Sequence, residues 1–184
     1  MEQQIDVERQ PMTAGQKWPL WSSSAAFMLR WSLVLLVLDQ ATKLWILYGL
    51  QLQEGERIAV TPFFDLLLVW NRGISYGLLQ QQSDIGRWLL VIVGIVACIA
   101  LWIWANRVET RSFVLGATLV IGGGIGNTID RVVYGAVADF VSLHAFDFYW
   151  YIFNIADVAI VAGFVVLLYE MIWPGQPAHK QDMS

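Results

Sequence analysis

Thiol and imidazole are nearly absent: the 184 residues hold one cysteine, Cys98, and two histidines, His144 and His179. A single thiol excludes an intrachain disulfide and a cysteine-based zinc site. Charge is also scarce, at 14% of residues, where soluble domains carry about 25%. Basic residues number 11 against 15 acidic, for a net charge of −4, so the footprint of a nucleic-acid surface is missing. Hydrophobic residues, by contrast, make up 57% of the chain, and the mean hydropathy is +0.55. This excludes a disordered chain, a collagen-like fibre and a secreted disulfide scaffold. Ten Trp, nine Phe and six Tyr suit a surface that meets lipid–water interfaces. The composition is that of a single-domain integral membrane protein.

A helix needs about 20 mostly apolar residues to cross a bilayer. Four stretches qualify: 25–47, 88–105, 112–131 and 152–173. Residues 88–105 carry no charge, and the first is interrupted by Arg30, Asp39 and Lys43. None alternates as the strands of a transmembrane barrel would. The expected fold is therefore all-α, with four transmembrane helices. Between the first two helices, 51–84 contains FFDLLLVW bounded by turn residues, which predicts a small extracytoplasmic β-sheet and lid segment. Residues 1–23 form a polar extension that lacks the apolar core of a cleavable signal peptide, and 174–184 a polar tail. Arg9, Lys17, Arg30, Arg107 and Arg111 fall on one side. This bias predicts that both termini are cytoplasmic and that the two longer loops face outward.

Span order places the polar residues in one leaflet. Asp39 and Lys43 lie in the second half of the first span, Asn127, Asp130 and Arg131 at the end of the third, and Asp157 five residues into the fourth, with Asp139 close by. Carboxylates within a bilayer are costly and mark function. Several have a structural reading. Asp39 and Lys43, four apart, can pair on one helix face, and Asp130–Arg131 can be an interfacial pair. Asn127 and Asn154 can bond across helices. Gly122–Gly124 and Gly126 allow close helix approach. Cys98 reads as packing, Glu170 as a side chain reaching the interface, and His144 as a lone histidine with no ligand role. Asp139 and Asp157 have no basic neighbour in sequence. Two carboxylates brought together at low dielectric share one proton, which supplies one general base and one general acid. Spacing alone leaves this dyad one reading among several.

Asp39-Gln-Ala-Thr-Lys43, Asn71-Arg-Gly-Ile-Ser-Tyr-Gly77, GGGIGNTIDRVVYGAVADF at 122–140 and Phe153-Asn-Ile-Ala-Asp157 resemble, in order and spacing, the motifs of bacterial lipoprotein signal peptidases (signal peptidase II). Gly124 stands where that family often has Ala. The resemblance implies a four-helix membrane aspartyl peptidase of the bacterial inner membrane, acting extracytoplasmically. Its substrates would be diacylglyceryl-modified prolipoproteins, cleaved just before the lipidated Cys. It implies catalytic roles for Asp139 and Asp157, and substrate-binding or supporting roles for Asp39, Lys43, Asn71, Gly73, Asn127, Asp130, Arg131 and Asn154. No metal or cofactor is expected, nor a nucleic-acid partner; the enzyme would act as a monomer among membrane lipids. The main alternative is a small proton-coupled transporter using the same intramembrane carboxylates, although neither inverted repeats nor a midplane site is visible.

Overall fold

A computed structural model describes residues 24–73, 84–108, 110–146 and 148–173. The polar extension, the C-terminal tail and residues 74–83 of the expected sheet-and-lid segment lie outside these. The elements run α1 (Ala25–Leu44), a π-helical turn (Trp45–Gly49), β1 (Arg57–Thr61), β2 (Phe64–Asn71), α2 (Asp84–Ala105), α3 (Arg111–Tyr134), β3 (Val137–Ala145), β4 (Phe148–Tyr149) and α4 (Ile155–Ile172). With its π-turn, α1 forms a span over Ala25–Gly49, and all four helices are long and apolar enough to cross a membrane.

Helix α3 is the most buried of the four and packs against α1, α2 and α4. Its glycines make this possible. A methyl group at Gly123 would stand 2.4 Å from the Ala156 carbonyl oxygen of α4, and one at Gly126 would stand 2.5 Å from Asp39 Oδ2 of α1. At Gly123 backbone thus meets backbone, and at Gly126 the missing side chain leaves room for the Asp39 carboxylate. Gly135 ends α3 in the left-handed region at φ 79°, its N–H donating to the Arg131 carbonyl. Glycine adopts this C-terminal conformation without a Cβ clash, and the chain passes directly into β3.

The sheet is antiparallel in the order β1-β2-β3-β4. Its inner face buries Leu66, Leu68, Ala138 and Phe140 against Ile46 and Leu52, which seats it on the end of α1. Two strands come from the chain between α3 and α4. The expectation of a sheet drawn only from 51–84 is therefore corrected: β3 supplies a central strand, with Asp139 opposite Val69 and Val137 opposite Asn71. Helix α2 starts at Asp84, four residues before the uncharged run. Helix α4 starts at Ile155, three residues later than expected. Phe153 is instead bridged to Val141 of β3, because an apolar run does not itself distinguish strand from helix.

Candidate active site

Asn154 ends the extended segment and caps α4. Its Oδ1 accepts the Asp157 N–H at 2.9 Å, while Asp157 Oδ2 accepts the Asn154 N–H at 3.4 Å. This reciprocal capping box sets Asp157 in the first turn of α4 rather than five residues deep. The Asn154 amide nitrogen remains for other partners, and donates to Asp139 Oδ1 at 2.6 Å and to Asn127 Oδ1 at 3.2 Å. One asparagine therefore holds the backbone of one carboxylate residue and the side chain of the other.

Asp139 is 1% exposed on β3. Asn71, at the end of β2, donates to its second oxygen at 3.0 Å. Burial, and after it the neighbouring Asp157 carboxylate, push the Asp139 carboxyl up to about 7; the hydrogen bonds from Asn71 and Asn154 and the charge of Lys43 act the other way. Asp157 is half-buried, and its Oδ1 accepts from Asn127 Nδ2 at 2.8 Å. Asn127 thus links the dyad to the charged cluster behind it.

That cluster centres on Lys43. Its ammonium lies 2.8 Å from Asp39 Oδ2, 2.7 Å from Asp130 Oδ2 and 3.1 Å from Asn127 Oδ1, which matches its three donors. The same two carboxylates also tie elements together. Asp39 Oδ1 accepts the Ala156 N–H of α4 at 3.0 Å, and Asp130 Oδ2 accepts the Ala138 N–H of β3 at 3.3 Å. Asp130 therefore pairs with Lys43 and not, as the interfacial reading had it, with Arg131. Arg131 instead donates to the carbonyls of Asn127 (3.1 Å) and Gly73 (3.0 Å), and the Gly73 N–H donates to Asn71 Oδ1.

The ten residues to which the resemblance assigns a role thus meet in one network. Two more belong to it. Gln40 Nε2 lies within hydrogen-bond reach of Asp39, Asp130 and the Gly126 carbonyl, and its place inside the Asp39–Lys43 motif was the available signal. The Tyr151 hydroxyl accepts from Asn71 Nδ2 at 3.2 Å, and no spacing rule points to it. Elsewhere, Glu170 is buried and accepts from Ser112 Oγ rather than reaching an interface. His144 lies 2.9 Å from buried Asp65, which also pairs with Arg57 at 2.5 Å. Asp65 sits opposite Ser142, toward the other end of β3 from Asp139. Among the described residues no cluster of His, Cys, Asp and Glu could hold a metal ion.

Four helices able to cross a membrane make this a multi-pass membrane protein. A bacterial membrane enzyme solved at 2.3 Å shares the fold, with a TM-score of 0.72 and 23% identity over 86% of this chain and 95% of that one. A second, solved at 1.9 Å, gives 0.68 and 24% over 82% and 95%. The family model for signal peptidase (SPase) II matches residues 31–173, and the chain belongs to that family. The lipoprotein signal peptidase of Methylobacterium sp. (strain 4-46) is 52% identical over 150 residues, 80% of this chain and 91% of that protein. That of Rhodopseudomonas palustris (strain ATCC BAA-98 / CGA009) is 51% identical over 152 residues, covering 80% and 92%. That of Methylorubrum extorquens (strain PA1) is 47% identical over 152 residues, covering 83% and 89%. None of these comparisons supports the transporter reading.

Proposed function

We propose that this peptidase removes signal peptides from diacylglyceryl-modified prolipoproteins, cutting just before the lipidated Cys, with Asp139 and Asp157 as its catalytic pair. The observation that carries the catalytic assignment is their convergence on Asn154, with Asp139 hydrogen-bonded to its amide and Asp157 locked to its backbone. Family membership supports the substrate.

The pair holds one proton between two carboxyl groups. The ionised carboxylate takes a proton from water as the water oxygen attacks the scissile carbonyl carbon. The protonated partner gives its proton to the carbonyl oxygen. A gem-diol results, and the pair still holds one proton. That proton then passes to the amide nitrogen as the C–N bond breaks, while the other carboxylate takes a proton from one gem-diol hydroxyl. A carboxylic acid and a free amine leave, and the pair regains its starting state. Asn71, Asn127 and Asn154 orient the two acids. Lys43, Asp39 and Asp130 pin α1, α3, β3 and α4 behind them. Arg131 holds the chain at Gly73, within the expected sheet-and-lid segment.

The half-buried Asp157 suits lateral entry of a lipidated signal helix from the bilayer. The Lys/Arg bias supports cytoplasmic termini and a dyad on the outer side of a bacterial inner membrane, with the chain acting as a monomer. The test uses the purified chain in lipid nanodiscs and one prolipoprotein with and without its diacylglycerol. The lipidated form should yield a product beginning at the modified Cys, and the unlipidated form should turn over far more slowly, since each buried CH₂ is worth about 0.8 kcal/mol of membrane partition. Equal turnover of both forms would overturn lipid-guided entry.

A further inference from the structure

Asn71 uses both of its amide hydrogens and its carbonyl oxygen. Its Oδ1 accepts from the Gly73 N–H at 3.1 Å, and its amide nitrogen donates to Asp139 Oδ2 at 3.0 Å and to the Tyr151 hydroxyl at 3.2 Å. An amide with two hydrogens and two acceptors has one rotamer that satisfies both. Without the phenol, the amide that meets Asp139 has a looser orientation. The backbone on either side of Tyr151 is tied to β3. The Trp150 N–H donates to the Leu143 carbonyl at 2.8 Å, and Phe153 exchanges hydrogen bonds with Val141 at 3.1 and 2.8 Å. Tyr151 therefore hangs on a segment tied to β3, the same strand that carries Asp139, and reaches 80 residues back along the chain to the end of β2.

We propose that Tyr151 is a positioning residue for the peptidase, fixing Asp139 through the side-chain amide of Asn71. This rests on the reading of Asp139 as a catalytic carboxylate. It adds a residue that lies outside the four motifs and that touches neither carboxylate through any hydrogen bond described above. The charged groups facing Asp139 are Asp157 from α4, Lys43 from α1 and Arg131 from α3.

The experiment measures pH–rate profiles of the full chain in nanodiscs with the lipidated prolipoprotein, for wild type, Tyr151→Phe, Asn71→Ala, the double variant and Asp139→Asn. Tyr151→Phe removes one oxygen. It should lower kcat roughly threefold to tenfold, the range of one neutral hydrogen bond, with KM unchanged. It should also move the alkaline limb upward, because the Asn71 bond that it loosens favours the ionised Asp139 carboxyl. In the Asn71→Ala background it should have no further effect. A wild-type rate and limb in Tyr151→Phe, a change confined to KM, or losses that multiply in the double variant would each overturn the proposal. Cleavage persisting in Asp139→Asn would instead strike the peptidase reading on which it rests.

Discussion

Asn154 Nδ2 stands 2.6 Å from Asp139 Oδ1, the shortest of the hydrogen bonds that the dyad accepts. The same side chain, through its oxygen, caps the helix that carries Asp157. Helix capping and active-site geometry are thus performed by one residue, and substitutions can separate them. Ser is as good a cap as Asn but lacks the amide that spans the two acids. Asn154→Ser should therefore keep thermal stability within about 1 kcal/mol of wild type while lowering processing by roughly 100-fold, the scale of a misplaced catalytic group. Parallel melting and cleavage assays check it; equal losses in both would make Asn154 a helix cap and nothing more.

The raised Asp139 carboxyl fixes a pH dependence. Its ordinary value is 3.8 and its value in the fold is about 7, so the native protein binds this proton more tightly than the unfolded chain. The stability that follows is complete below about pH 4, declines as pH rises toward about 7 and is gone above it. Asp139→Asn should flatten melting temperature against pH over that window. Activity should fall as pH rises past about 7, where the pair loses its shared proton. A rate still climbing through pH 9 would contradict a shared proton.

Lys43 neutralises two carboxylates that are each at most 1% exposed. Lys43→Met leaves Asp39 and Asp130 facing one another without a cation, a change worth about 3–5 kcal/mol when one partner of a buried pair is removed. The variant should unfold at markedly lower temperature or fail to accumulate. Adding Asp39→Asn and Asp130→Asn should recover part of the loss. Unchanged stability with lost cleavage would place Lys43 among the groups that touch substrate.

Neighbouring glycines should differ sharply. A methyl at Gly123 meets backbone, 2.4 Å from the Ala156 oxygen, whereas one at Gly124 meets only the Cys98 sulfur at 3.1 Å. Gly123→Ala should cost about 1–3 kcal/mol as overpacking and impair processing, since Ala156 adjoins Asp157. Gly124→Ala should stay within about 0.5 kcal/mol of wild type. Thermal unfolding in one detergent checks both, and equal effects would contradict the close α3–α4 contact.

Much of this architecture is legible in the chain itself. Long apolar runs report membrane helices directly, because the bilayer permits few other structures. Span order brought Lys43, Asn127, Asp130, Arg131 and Asp157 to one end of the bundle. The strand carrying Asp139 was not read, because Val137–Ala145 lies in a short loop between two helices and pairs with residues some 70 positions earlier. Strand pairing is non-local, so its signal does not lie within the segment. Similarly, Phe153 extends an apolar run yet bonds to β3, and the Asn154–Asp157 capping spacing marks the true start of α4. Tyr151 is invisible for the same reason, since its partner Asn71 is 80 residues away.

The most direct test is to neutralise each acid alone. Asp139→Asn and Asp157→Asn keep shape and volume, and both should fold, insert and bind the lipidated prolipoprotein. Each should lose cleavage by at least about 10³-fold, as when one member of a cooperating catalytic set is removed. Processing by either variant at a rate near wild type would contradict the account.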